Sequence, residues 1–326
     1  MSHITYAEAI VIGLMQGVTE LFPVSSLGHS VLLPALLGGS WARDLNVAAP
    51  ESPYLAFIVG LHVATAVALV VYSWRDWVRI VRGLLTSIRR RRIDSADERL
   101  AWMIILATIP VGIAGLLLEH TFRTVLGRPV PAALFLLVNG GILYAAEILR
   151  RRAVPATDCR PTVVTLAATV PASGDMALSS TAAVADAQLD ATSADSDARL
   201  ASRSWSEAVM IGSAQILALL PGISRSGSTM AAGLWRGLSH EDAARFSFLL
   251  ATPVILAAGV LKIPDLAGPL GDGIRGQVLA GSVASGVAAY LAVRFLTRFF
   301  RTRTLTPFAI YSVLAGALSL IILVVR

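Results

Sequence analysis

Two short stretches gather the side chains able to do chemistry. "QGVTELFPVSSLGHS" (16–30) holds an amide (Gln16), a carboxylate (Glu20), a helix breaker (Pro23), two hydroxyls (Ser25, Ser26), Gly28 and an imidazole (His29). "PGISRSGST" (221–229) holds Ser224, Arg225, Ser226 and Thr229 behind a Pro-Gly pair. Gln16 and Glu20 are four apart and share a helical face. Pro23 stops that helix, and Ser25 or Ser26 can cap a second half-helix. The first N–H groups of a half-helix are unpaired and carry partial positive charge, which favours an anion. The planar fork of Arg225 suits phosphate oxygens, and Ser224, Ser226 and Thr229 add donors. Together these groups describe a pocket for phosphate, with one carboxylate to hold a metal ion or take a proton.

Plainer roles compete with this one. Glu20 or Arg225 could be half of a structural ion pair. Charges at membrane depth cost roughly 2.5–3.5 kcal/mol or more and are functional by default, which favours the site. His29 stands beside Glu20 and Ser26 and is assigned to the site with them. Ser25 serves equally well as a cap. His62, in "LHVAT", sits on an apolar stretch and is read as structural. The run from Arg75 to Arg99 is read as a solvated cytoplasmic face.

The elements that must position these groups are membrane helices. The chain has 326 residues, 55% hydrophobic and only 15% charged, with a mean hydropathy of +0.70. That balance fits a polytopic membrane protein and excludes an ordinary soluble domain. The net charge of +6 does not mark a nucleic-acid binder, because the arginines cluster in short loops between apolar segments. The single Cys159 excludes an intrachain disulfide and a multi-cysteine metal site. No basic region precedes the first apolar segment, so a cleaved signal peptide is not expected.

Six ordinary spans are expected at 54–74, 100–118, 131–149, 245–262, 274–296 and 306–325. Two longer apolar segments, 4–37 and 206–235, are broken midway at "FPVSSLGH" and "LLPGISRSGST". Arginines gather at 75–99, at 149–152 and at Arg294, Arg298, Arg301 and Arg303. Placing all three clusters in the cytoplasm requires six crossings, with both broken segments returning to the side they entered from. Backbone broken at that depth must be buried in protein or reached by water. Two re-entrant helical hairpins from opposite faces, meeting near the midplane, satisfy that condition.

The two segments also repeat each other. "IGLMQGVTELFPVSSLGHS" from Ile12 aligns without gaps on "IGSAQILALLPGISRSGST" from Ile211, a shift of 199 residues. Three spans follow each motif. The fold class expected is therefore all-α integral membrane with an inverted-topology repeat, whose site lies where the repeats meet. The first repeat is 1–152 and the second 205–326. Between them, 153–204 is rich in Ala, Ser, Thr and Asp and reads as a disordered cytoplasmic linker.

The paired motifs closely resemble those of the undecaprenyl pyrophosphate phosphatase (bacitracin-resistance) family, and "RFSFLLATP" (245–253) and "PFAIY" (307–311) resemble it too. The resemblance covers nearly the whole chain except 153–204. It implies an integral enzyme of the bacterial inner membrane, with its site open to the outer face. Such an enzyme hydrolyses the C55 lipid pyrophosphate left by cell-wall polymerisation, regenerates the monophosphate carrier and confers bacitracin resistance. The resemblance also implies a divalent cation, Mg²⁺ or Ca²⁺, held by Glu20 and Gln16. The catalytic set becomes Glu20, Ser26, His29 and Arg225, and the phosphate-binding set Ser25, Ser224, Arg225, Ser226 and Thr229. Gln16 is neutral where many relatives carry Glu. Segment 153–204 is an insertion the family does not predict.

Chemically, Ser26 would be the nucleophile with Glu20 or His29 as its base, or a metal-bound water would attack directly. The alternative function is a lipid-phosphate transporter or flippase using the same anion pocket. A type 2 phosphatidic acid phosphatase is rejected. The only lysine, Lys262, follows both motifs, and no His follows "SRSGST" before His240. The partners expected are the lipid substrate and the bilayer, with a second copy in a homodimer compatible and nucleic acid excluded.

Overall fold

The computed structural model describes residues 4–45, 53–153, 192–268 and 273–325. Every regular element among them is helical. In chain order they are α1 (Tyr6–Leu21), α2 (Ser26–Leu37), α3 (Gly39–Asp44), α4 (Pro53–Tyr72), α5 (Trp74–Arg90), α6 (Ala96–Leu126) and α7 (Pro129–Ala153). They continue as α8 (192–201), α9 (Trp205–Ser213), a 3₁₀ turn (Ala214–Leu219), α10 (Arg225–Trp235), α11 (His240–Ala267), α12 (Arg275–Phe299) and α13 (Thr306–Val325).

Among the described residues, five helices are long and apolar enough to cross a membrane: parts of α6, α7 and α11, with all of α12 and α13. A sixth span arises if α4 and α5, which meet at 86°, count as one bent pair. Five of the six expected spans thus fall on α6, α7, α11, α12 and α13, and the sixth, expected at 54–74, falls on α4 within the bent pair. Most of them are longer than expected, because apolar periodicity does not mark where a polar first or last turn continues a helix.

Both broken segments break where expected. α1 ends at Leu21 before Pro23, and α9 gives way to the 3₁₀ turn and stops before Pro221. The same local chemistry starts each part. Thr5 forms a capping box with Glu8, and Ser204 forms one with Glu207. Ser25 then caps α2 by accepting from Gly28 N–H, and Ser224 caps α10 by accepting from Gly227 N–H. All four pairs of matching residues are 199 positions apart.

Small residues set the packing. A Cβ added to Gly13 on α1 would lie 2.3 Å from Gly281 O on α12, and one on Gly212 of α9 would lie 2.1 Å from Ala107 O on α6. Backbones therefore meet directly at both places. α1 lies along α12 and α9 along α6, so each broken segment rests on a helix from the other half of the chain. α4 pairs with α11, and α7 with α13.

The reading of 153–204 as a disordered linker is corrected at its end. Residues 154–191 lie outside the described residues, but 192–201 is helix α8. Its Asp197 bonds Arg79 on α5 at 2.7 Å and Arg245 on α11 at 2.7 and 2.8 Å. Arg199 adds a two-pronged bond to Asp242. Composition alone missed this because the helix is held mainly by ion pairs with distant helices, with only Leu200 and Ala201 seated in the apolar core.

Candidate active site

The two breaks touch each other. Gly28 lies so close to Gly222 that a Cβ on it would come within 2.9 Å of the Gly222 Cα. Gly222 itself has φ +113° and faces Ala132 O, 2.4 Å from where its Cβ would be. Both constraints admit only glycine there. Ser25 has φ 68°, an uncommon conformation for a non-glycine residue, and its side chain is committed to the cap.

Asn139, fully buried on α7, holds the breaks together. Its amide donates to Pro23 O at 3.0 Å and to Ser312 Oγ at 3.2 Å, and its Oδ1 accepts Ser224 N–H at 2.9 Å. Ser226 Oγ donates to Phe22 O at 3.3 Å and shares a 3.0 Å bond with Ser224 Oγ. The second break thus supplies hydroxyls to a carbonyl freed at the first.

Glu20 is the centre of the cluster. Ser26 Oγ donates to its Oε2 at 2.5 Å, and Gln16 Nε2 donates to the same oxygen at 2.9 Å. Arg225, from the other half of the chain, pairs with its Oε1. Glu20 and Ser26 are each 8% exposed, and Gln16 is fully buried. The fourth member is His62 on α4. Its Nδ1 faces the Ile58 carbonyl at 2.8 Å and must carry the proton there, because a carbonyl only accepts. Its Nε2 lies 3.2 Å from Glu20 Oε2 and 3.1 Å from Gln16 Nε2. Reading His62 as merely structural is therefore corrected.

The other expected site residues are placed less centrally. His29 donates from Nδ1 to Ser25 O at 2.7 Å, so its Nε2 accepts from the Tyr311 hydroxyl at 2.8 Å. The two rings stack, 11° from parallel. Thr229 Oγ1 donates back to Arg225 O at 2.8 Å, within its own helix. The structure thus brings Gln16, Glu20, Ser26 and Arg225 together. It seats Ser25, Ser224 and Ser226 in the breaks beside them and gives His29 and Thr229 their bonds elsewhere.

Sequence reading passed over Asn139, read His62 as structural and gave Tyr311 no role of its own. The available signal was the same for the first two: a lone polar residue inside an apolar span. No group of three His, Cys, Asp or Glu side chains able to hold a metal exists among the described residues. One feature does favour a cation. Gln16 Oε1 is buried and has no hydrogen-bond partner among the described residues.

Comparison with known proteins agrees with the resemblance. The family model described as bacitracin resistance protein BacA matches residues 9–318. The chain is 64% identical over 325 residues to undecaprenyl-diphosphatase of Mycolicibacterium paratuberculosis, covering 100% of this chain and 99% of that one. It is 56% identical over 335 residues to undecaprenyl-diphosphatase 2 of Frankia alni, covering 98% of each. It is also 38% identical over 313 residues to undecaprenyl-diphosphatase of Granulibacter bethesdensis, covering 95% of this chain and 94% of that one. With a match across most of its length and relatives this close, the chain belongs to the bacitracin resistance protein BacA family.

Proposed function

We propose that this protein is an undecaprenyl-diphosphatase, which cleaves a C55 lipid pyrophosphate into the lipid monophosphate and phosphate. Full-length relatives carry that name. The observation that carries the proposal is the convergence of a carboxylate, a hydroxyl and an arginine from two distant breaks on one buried cluster. A structural ion pair needs Glu20 and Arg225 but not a serine hydroxyl 2.5 Å from the same carboxylate.

Each residue has a role in this scheme. Ser26 Oγ attacks the terminal phosphorus, and its proton passes to Glu20 Oε2, the oxygen it already bonds. The bond from phosphorus to the bridging oxygen breaks, and the lipid monophosphate leaves. Arg225 offers two N–H groups to the transferring phosphoryl group, which bears most of the charge in the transition state. Glu20 returns that proton to the departing monophosphate oxygen; water then hydrolyses the phosphoserine, its proton passing to Glu20 and on to Ser26 Oγ as phosphate leaves. His62 and Gln16 hold the carboxylate in place. His29, its Nε2 facing the Tyr311 hydroxyl, orients substrate at the edge of the site.

A divalent cation, Mg²⁺ or Ca²⁺, would be held by Glu20 and by Gln16 Oε1, which has no hydrogen-bond partner among the described residues. When bound, it supplies neutralisation of phosphate charge.

We further infer the inverted repeat and the two re-entrant hairpins. Caps at a constant shift of 199 and the exchange of partners between α1–α12 and α9–α6 support them. Arginines at the ends of α5, α7 and α12 support a cytoplasmic face there, in a bacterial plasma membrane. The site then opens to the opposite, outer face.

The test is phosphate release from C55 pyrophosphate by purified protein in detergent, with and without chelator, followed by add-back of Mg²⁺ or Ca²⁺. Release that depends on the cation is expected. If no phosphate appears in detergent while the protein moves lipid phosphate across vesicles, the pocket carries and does not cut.

A further inference from the structure

The outward stripe of α12 changes character near its end. This helix is long and apolar enough to cross a membrane by itself, over Arg275–Phe299. Val283, Val287 and Leu291, four residues apart on one face, are 60%, 56% and 58% exposed. Arg294 and Arg298 continue that stripe, and both are exposed. Two guanidiniums thus stand where the last turns of a span leave the acyl region for the headgroups.

Both arginines also line a cavity of about 420 Å³, walled by the ends of α4 and α12 and the starts of α5, α8 and α11. Its floor is apolar, with Leu69, Phe248 and Val293. Its α12 wall carries the Thr297 hydroxyl, bonded to the Tyr72 hydroxyl at 2.8 Å. Five arginines line the cavity against two acids, Asp76 and Glu241. Three of the five are already engaged. Arg245 pairs with Asp76 at 3.1 Å and with Asp197 at 2.7 Å, and Arg301 pairs with Glu241 at 3.3 Å. Arg75 lies over the Trp74 ring and is engaged elsewhere as well. Arg294 and Arg298 remain, and neither side chain has an ion pair or hydrogen bond among the described residues. Four apart on one helix, they repel each other and gain from an anion set between them. The fork of each guanidinium fits phosphate oxygens.

The surroundings select the kind of phosphate. A free phosphate would use the two arginines alone. Here an apolar stripe leads up to them on one side, and hydroxyls face them across the cavity on the other. That arrangement matches a phosphate carrying a hydrocarbon chain at one end and a hydroxylated head at the other. Basic pockets between spanning helices take lipid headgroups in this way. We propose that Arg294 and Arg298 bind the phosphate of an anionic phospholipid, its head turned into the cavity and an acyl chain along Leu291, Val287 and Val283. This site shares no residue with the Glu20 cluster and does not depend on the reaction assigned there.

Native mass spectrometry of the full chain tests it. The protein is released from micelles doped with phosphatidylglycerol or with phosphatidylcholine. Beside it run an Arg294→Gln/Arg298→Gln variant and an Arg89→Gln/Arg92→Gln control. The control removes the same charge from exposed arginines that do not line the cavity. A cooperative melt in detergent shows that each variant is folded. The parent and the control should retain phosphatidylglycerol in preference to phosphatidylcholine. The Arg294/Arg298 variant should retain roughly tenfold less phosphatidylglycerol. Phosphatidylglycerol should also raise the melting midpoint of the parent, and glycerol 3-phosphate or inorganic phosphate at the same concentration should not. Equal retention by the Arg294/Arg298 variant and the parent would overturn the site. An equal loss in the control would overturn it too, in favour of diffuse attraction by the whole basic face. Equal retention of the two lipids would overturn the anionic-lipid assignment. A midpoint raised as much by the soluble phosphates would assign the arginines to free phosphate and overturn the lipid.

Discussion

Replacing Asn139 by leucine, a side chain of similar size, should damage the site without touching any group that reacts. Asn139 is fully buried and satisfies two backbone groups at once, Pro23 O in one break and Ser224 N–H in the other. Leucine fills the space but offers neither donor nor acceptor. Each orphaned buried group costs about 1–3 kcal/mol, so the pair costs about 2–6 kcal/mol. Ser312, the third partner, can turn its hydroxyl to its own helix and adds little. For a chain of 326 residues the lower figure alone corresponds to a drop of about 3 °C in melting midpoint. Part of the cost should also appear in kcat, because the breaks that Asn139 joins are the ones that carry Ser26 and Arg225. About 1.4 kcal/mol of misplacement is a tenfold loss. The assay is a melt in detergent beside phosphate release at saturating lipid pyrophosphate. An Asn139→Leu protein with unchanged kcat and unchanged midpoint would refute the claim that this side chain fixes the breaks.

Arg225→Ala should abolish turnover in a protein that still folds and inserts, and Arg225→Lys should also be poor because a point charge replaces the fork; near-normal phosphate release in either variant would count against the site. Ser26→Ala should cost several orders of magnitude in kcat, whereas Ser25→Ala, which removes a cap, should cost only about 1–2 kcal/mol, read as a modest loss of stability. Full turnover in Ser26→Ala at saturating cation would end the nucleophile assignment and leave attack by water. Replacing 154–191 with a short Gly/Ser bridge should retain most turnover, because its composition buries little apolar surface. Extending the deletion to 204 removes Asp197, whose side chain is 2% exposed, and strips Arg79 and Arg245 of a shared partner. That longer deletion should lower the melting midpoint by several degrees, and equal midpoints for the two deletions would contradict the role given to α8.

The breaks were legible because they are local: Pro23 and Pro221 cannot continue a helix, and the hydroxyls that follow are the usual caps. The meeting of Glu20 with Arg225 was legible only through the repeat, which put the two breaks at matching positions. Asn139 and His62 were not, although each stands out as a polar residue in an apolar span. Which partner such a residue finds depends on how whole helices pair, and a single sequence carries no record of that pairing. Tyr311 was hidden for another reason. A tyrosine in a span is as apolar as it is polar, and only the distance to His29 gives its hydroxyl a task.

The pairing of Arg225 with Glu20 also bears on how the enzyme lets go of what it makes. A phosphate arriving at the site meets an arginine that already has an anion, one attached to the same molecule and never farther than a side-chain rotation away. Every incoming ligand must displace that resident carboxylate, so all ligands bind more weakly than the arginine alone would allow. The discount falls unevenly. A pyrophosphate brings more negative charge than a monoester and competes better for the guanidinium. Once the terminal phosphate is gone, Glu20 can reclaim Arg225 from the less charged lipid that remains. The same contact that closes the empty site would therefore keep the product from holding it, which lets turnover continue in a membrane where the monophosphate carrier accumulates.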